Sequence, residues 1–411
     1  MVGDFFAGLW VVDRVGVFLA YTLGGVALGT VSGLVPGIHA NAFALLLAAT
    51  APTLSGPSAG VAVAVLAAGV THTFLDVVPA LALGVPDAAM AAGSLPGHRL
   101  VLGGRGREAL RLSALGSGGA LLCALPVAVP LTALVRRHES LLSTSLPFLL
   151  VGVFVLLVLA ERRPWRMVAA AFLVLLSGAL GLATLDRPFD GFVAVGGVLT
   201  PLFGGLFGVP VLVDAARGSG VPAQDGVELA TRPLAVGRAA VAGVAGGGLV
   251  GYLPGVSAGV AATLALPFAG REDPDRTYVV ATSGANTATA VFALFSLVAL
   301  DAPRTGVTVA LRAVGPPPLA TLLTATVVAG VVSAVLVPVL GDRYLAAAGQ
   351  VGPRTTSLVA CGLLCLLSGL FAGVGGVVVL AAAGVVGLLP VRLEVRRVHL
   401  MGVLAVPLVV G

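Results

Sequence analysis

There is no lysine anywhere in this chain; the 23 strongly basic side chains are all arginine. A Walker loop needs a lysine after its glycines, so nucleotide hydrolysis by that route is excluded. Charge of either sign is scarce. Only 10% of the 411 residues are charged, against about 25% in a soluble domain, which is too few to coat a water-facing surface of ordinary size. Apolar runs recur along the whole length, which also excludes a soluble enzyme held by a single anchor. Cysteine is nearly absent. Cys123, Cys361 and Cys365 all lie in apolar runs, and no further Cys or His completes a metal site around the last two, so they read as small packing residues. There is no His-Glu-x-x-His zinc motif and no Gly-x-Ser-x-Gly elbow. The sequence therefore points to no catalytic residue, no metal and no organic cofactor.

What is there is hydrophobic. Apolar residues make up 58% of the chain and the mean hydropathy is +1.09. At roughly 20 apolar residues per crossing, this predicts an all-α polytopic protein of about 10–12 embedded helices in the cell membrane. The N-terminus has no long basic region and no clear small-residue cleavage site, so the first span is expected to be retained. A net charge of +5 raises the question of nucleic acid, but the arginines sit in short loops between apolar runs. The positive-inside rule accounts for them there, and no nucleic-acid partner is implied. If each central run crosses once, one side collects ten arginines between Arg99 and Arg238, and the other collects Arg136, Arg137 and Arg187. The richer side is expected to be cytoplasmic.

Two stretches resemble each other. Gly33-Leu-Val-Pro-Gly-Ile-His-Ala40 and Gly251-Tyr-Leu-Pro-Gly-Val-Ser-Ala258 share the frame Gly-x-x-Pro-Gly-x-x-Ala, with their prolines 218 residues apart, at 36 and 254. A glycine-rich apolar run precedes each, and a polar interruption follows each: Thr71–Asp76 in the first half and Thr282–Thr289 in the second. The chain is thus expected to form two homologous halves, 1–216 and 239–411, joined by a charged Gly/Pro-containing linker at 217–238. Proline removes a backbone donor and the following glycine permits non-helical dihedrals. A helix broken at depth leaves main-chain groups that hydrocarbon cannot satisfy, so such breaks persist where protein or a water-filled cavity receives them. Repeat-built transporters place broken segments of this kind at the substrate site. Pro36, Gly37, His39, Ala40 and Asn41, with Pro254, Gly255, Ser257 and Ala258, are therefore the expected binding elements; the small side chains let backbone amides approach a carboxylate.

Ionisable groups inside apolar runs are costly and draw functional attention. His72 and Asp76, four apart, share a face if their segment is helical. They suit either a proton-linked pair or a structural bond. Asn286 and Thr287 offer neutral groups for a carboxylate or Na⁺, and Ser283 is a further ion-coupling candidate; hydroxyls of this kind also bridge helices in lipid. Pro316–Pro318 and Gly341-Asp342-Arg343 read as loop punctuation and helix ends.

The paired Pro-Gly motifs resemble the large membrane subunit of tripartite tricarboxylate transporters. The stretch from Leu95 to Gly119 is similar to that family's loop and the helix after it, although Pro96-Gly97-His98 stands where the family has an Asp-Gly turn. Gly284-Ala-Asn-Thr-Ala-Thr-Ala290 is similar to a segment of shorter, archaeal-type relatives. The resemblance implies a permease carrying a small organic anion, a di- or tricarboxylate, driven by an H⁺ or Na⁺ gradient. It also implies a small membrane subunit and an extracytoplasmic solute-binding protein as partners, and a homodimer suits such a carrier. Two other readings remain open. One is an intramembrane enzyme pairing His72 and Asp76 with a serine such as Ser32 or Ser94; the other is a channel or a structural subunit of a membrane complex.

Overall fold

The computed structural model describes residues 2–36, 47, 57–84, 94–192, 197–217, 220–224, 226, 228–253, 260–261 and 273–411. Among them there is no strand. In chain order the helices are α1 (Val2–Leu34), α2 (Ser58–Leu75), α3 (Val77–Leu83), α4 (Ser94–Leu102), α5 (Gly106–Arg137), α6 (Glu139–Leu159), α7 (Pro164–Thr184) and α8 (Leu199–Phe203). A π-helical turn at Gly204–Gly208 leads into α9 (Val209–Ala215). Then follow α10 (Pro233–Tyr252), α11 (Pro274–Leu300), α12 (Gly306–Val314), α13 (Leu319–Gln350), α14 (Pro353–Gly387), α15 (Leu389–Arg392) and, after a 3₁₀ turn at Arg397–Met401, α16 (Gly402–Val410).

Local chemistry sets several boundaries. Pro164, Pro233, Pro274 and Pro353 each occupy the first turn of a helix, where a missing N–H leaves no hydrogen bond unmade. The Asp273 carboxylate caps α11 by accepting from the Arg276 backbone N–H at 3.2 Å, and Thr305 and Thr308 form a capping box on α12. Within α14, Ala372 and Gly373 leave helical dihedrals, so its 35 residues form two helices meeting at a kink. Helix α10 begins at Pro233, within the 217–238 stretch. Pro316–Pro318 lie in the turn before α13. Gly341-Asp342-Arg343, expected at a helix end, instead runs inside α13: Arg111 of α5 meets the Asp342 carboxylate with both guanidinium nitrogens, at 2.9 and 3.2 Å, and that pairing lets a charge sit within the helix.

Eight helices among the described residues are long and apolar enough to cross a membrane, and three shorter apolar helices accompany them. The chain is an all-α, multi-pass integral membrane protein. Its outer surface is apolar, with Phe148, Leu358 and Val374 each more than 70% exposed, as a lipid-facing wall requires. The Ser58–Leu83 and Pro274–Leu300 spans are the most enclosed, with 89% and 78% of their apolar windows buried. These two central helices carry the polar interruptions seen in the sequence.

Two helix pairs share one construction. Helices α1 and α2 run parallel: a Cβ added at Gly25 or Gly29 would overlap the backbone of Ala64 or Ala68. Helices α10 and α11 also run parallel, since a Cβ at Gly243 or Gly247 would meet the backbone of Ala281 or Ala285. Glycine is what allows each pair of main chains to approach so closely. The pairs run in opposite directions. Asp76 meets Asn286, whereas Leu81 and Val279 come together around Gly97, so the chain climbs on one helix as it descends on the other.

Candidate functional site

Helix α2 gives way to α3 at Asp76, because Pro79 has no N–H to offer the carbonyl of Leu75. The break places two polar side chains in the protein interior: His72 is fully buried and Asp76 is 4% exposed. They reach in different directions. His72 Nδ1 lies 2.9 Å from the hydroxyl of Ser32 on α1. Asp76 accepts from the Asn286 side-chain amide at 2.7 Å, and the same amide lies 3.3 Å from the Thr73 carbonyl. A side chain of the second half thus bridges two groups of the first, across 210 positions of sequence.

The first Pro-Gly motif starts beside this contact. A Cβ at Gly33 would meet Leu75, the Asp76 backbone nitrogen and the His72 carbonyl, all within 3.3 Å. Pro36 follows within one turn and is half-buried. Gly37, His39, Ala40, Asn41, Pro254, Gly255, Ser257 and Ala258 lie outside the described residues. The residues bordering the second motif are described. Tyr252 packs against Phe292, with ring centroids 5.9 Å apart, and Ala261 sits against Gly246. Asn286 and Phe292 are six residues apart on α11, about 9 Å along its axis. The chain therefore enters the first motif beside the Asp76–Asn286 contact and the second about 9 Å along α11 from Asn286.

Neighbouring hydroxyls divide by role. Thr282 and Thr289 bond carbonyls of their own helix, at 2.8 and 2.7 Å. Ser283 is turned to α5: its hydroxyl lies 2.8 Å from that of Ser113, and its carbonyl accepts from Ser117. Ser333 of α13 donates to the Thr71 hydroxyl at 3.0 Å. These are helix-to-helix bonds. Thr287 differs, because its hydroxyl is buried and has no hydrogen-bond partner among the described residues. The structure brings Asp76 and Asn286 together; Thr287, next in sequence, points about 100° further round the helix. The fold places His72 on the α1 side and Ser283 on the α5 side.

Ser32 and His72 stand at the distance of a nucleophile and its base, so their hydrogens decide the reading. The Ser32 hydroxyl donates to the Gly29 carbonyl at 3.2 Å. The single hydroxyl hydrogen is therefore contested between that carbonyl and Nδ1, and the direction of the Ser32–His72 bond depends on the histidine tautomer. A clamp of charges at one end of the bundle was not foreseen from the sequence. Fully buried Glu108 receives both Nε and Nη2 of Arg276 at 2.9 Å, Nε of Arg105 at 2.6 Å and the Ala230 backbone N–H at 2.8 Å. Removing one partner of such a buried pair costs about 3–5 kcal/mol. Its signal in the sequence was faint: a lone glutamate among arginines at the start of an apolar run. Among the described residues no group of three or more His, Cys, Asp or Glu side chains is placed to hold a metal ion.

Comparison with known proteins gives a match to a family model described as the tripartite tricarboxylate transporter TctA family, over residues 19–402. A similar curated protein is an uncharacterised protein of Methanocaldococcus jannaschii, 29% identical over 200 residues. That match covers 48% of each chain, about half of either length. No solved structure matches the chain.

Proposed function

This chain belongs to the tripartite tricarboxylate transporter TctA family, and from that premise we propose that it is a secondary active permease for a small organic anion, a di- or tricarboxylate, coupled to an H⁺ or Na⁺ gradient. One observation carries the reading: Asp76 and Asn286 join two oppositely directed helix pairs at buried depth, where the first Pro-Gly segment begins. Two equivalent, inverted units suit a carrier that opens alternately to each side, whereas an enzyme needs one asymmetric site. On this reading the halves 1–216 and 239–411 each contribute one Pro-Gly segment to a shared anion site. Asn286 and Thr287 supply neutral donors, and Asp76 carries the coupling ion. A small membrane subunit and an extracytoplasmic solute-binding protein are the proposed partners, a homodimer the proposed assembly, and the arginine-rich end the cytoplasmic side.

Purified protein in proteoliposomes tests this, with radiolabelled succinate and citrate offered under imposed H⁺ or Na⁺ gradients. Gradient-dependent accumulation is expected, and Pro36→Ala and Pro254→Ala are each expected to slow it at least tenfold. Correctly folded protein that accumulates neither anion under either gradient, with the partner proteins added, overturns the proposal.

A further inference from the structure

At the arginine-rich end, away from Asp76, α3, α4, α9 and the α13–α14 turn enclose a cavity of about 270 Å³. Most of its wall is apolar, including Leu83, Leu102 and Val351. Three ionisable side chains line it: Arg397, Asp214 and His98. Arg397 is 7% exposed, and among the described residues its acceptor is the Asp214 carboxylate, 3.2 Å from Nη2. Its Nε and Nη1 have no hydrogen-bond partner among the described residues. A guanidinium taken out of water with two of three nitrogens unpaired carries a desolvation penalty that an anionic oxygen relieves. Asp214 is half exposed at the rim, so it leaves the inner side of the guanidinium free. The hydroxyl-bearing Thr356 and Ser357 line the same space.

We infer that this cavity is a binding site for a singly charged oxyanion with a compact apolar body, held by Arg397 and separate from the Asp76–Asn286 site. The single charge follows from Arg397 being the one guanidinium of the lining, with Asp214 half exposed at the rim to oppose any further negative charge. The apolar body follows from the walls. The size follows from a volume just below the range of drug-sized pockets, about 300–1,000 Å³. An aliphatic monocarboxylate and the phosphodiester of an anionic lipid share this chemistry. The helix α3 connects the two sites: its seven residues span about 10 Å from Asp76 to Leu83.

The test uses full-length protein in detergent, titrated with radiolabelled butyrate, with lipids carried through purification identified by mass spectrometry. Saturable butyrate binding is expected, weakened at least tenfold in Arg397→Gln and tightened several-fold in Asp214→Asn, where the competing carboxylate is gone. Asp76→Asn is expected to leave it unchanged, so this site and the transport reading fail independently. If a lipid is the occupant, phosphatidylglycerol co-purifies with wild type and butyrate displaces it. If Arg397→Gln does not fold, Ser357→Phe, which fills the cavity, provides the same comparison. Neither butyrate nor lipid bound by wild type and Asp214→Asn, or binding indifferent to Arg397→Gln or Ser357→Phe, overturns the inference and leaves the guanidinium to water.

Discussion

Asp76 is a side chain enclosed by apolar helices, and the Asn286 amide at 2.7 Å is one of the groups that receive it there. Truncating that amide removes a hydrogen bond to a buried group, worth about 1–3 kcal/mol. Asn286→Ala is therefore expected to lower thermal stability by about that amount and to cut gradient-driven uptake at least tenfold. Wild-type uptake in that variant would remove Asp76–Asn286 from the mechanism. His98 offers a pH-dependent counterpart outside the spans. Burial holds its imidazole below the usual histidine range, and the bond from Nδ1 to the Leu81 carbonyl at 2.7 Å only partly opposes this. The unfolded chain then binds the proton more readily than the fold does. This histidine's contribution to stability is present at neutral pH and is lost as pH falls through and below about 6.5. Melting temperature should drop less between pH 7 and 5 in His98→Gln than in wild type; equal slopes would show that His98 does not contribute.

Among the helices, the glycine faces separate packing from composition. The chain has 57 glycines, but only some are where a neighbour's backbone leaves no space for a Cβ. Gly29 is such a position, pressed on Ala68, whereas Gly24 has nothing within 4 Å. Gly29→Val is expected to destabilise the protein by about 1–3 kcal/mol or more, seen as a lower melting temperature and loss of a monodisperse peak in detergent. Gly24→Val, facing open space on the same helix, should leave both unchanged. If the two variants behave alike, the α1–α2 contact is not what the glycines provide. The sequence alone showed that both regions were glycine-rich. It did not distinguish these two positions, because that depends on how α1 is rotated against α2.

For the molecule as a whole, charge is divided unequally between the two ends. Arg99, Arg105, Arg111, Arg276 and Arg397 are drawn to one end through ion pairs with Asp275, Glu108, Asp342 and Asp214, while Arg136 and Arg137 close the far end of the 32-residue helix α5. With the arginine-rich end in the cytoplasm, a membrane-impermeant thiol reagent added to intact cells should label Asp301→Cys and spare Glu228→Cys. The reverse pattern would invert the assignment. The expected 10–12 embedded helices compare with eight membrane-length and three shorter apolar helices among the described residues, and the repeated Pro-Gly frame was legible from the residues. The Asp342–Arg343 dipeptide was misread as a helix end, because a local reading takes paired charges for a loop and does not see the Arg111 that neutralises Asp342 from another helix.

Hydropathy, the scarcity of charge and the recurrence of Gly-x-x-Pro-Gly-x-x-Ala are properties of short windows, so the sequence by itself determined that this chain lives in a bilayer and is built from helices with a repeated motif. Which polar groups meet is a property of helix rotation and register, set by side chains packing across hundreds of positions. Only the tertiary structure decided that Asp76 faces Asn286 rather than His72's partner, Ser32, that the two glycine-seated pairs run in opposite directions, and that Arg397 lines a cavity with two of its nitrogens unpaired among the described residues.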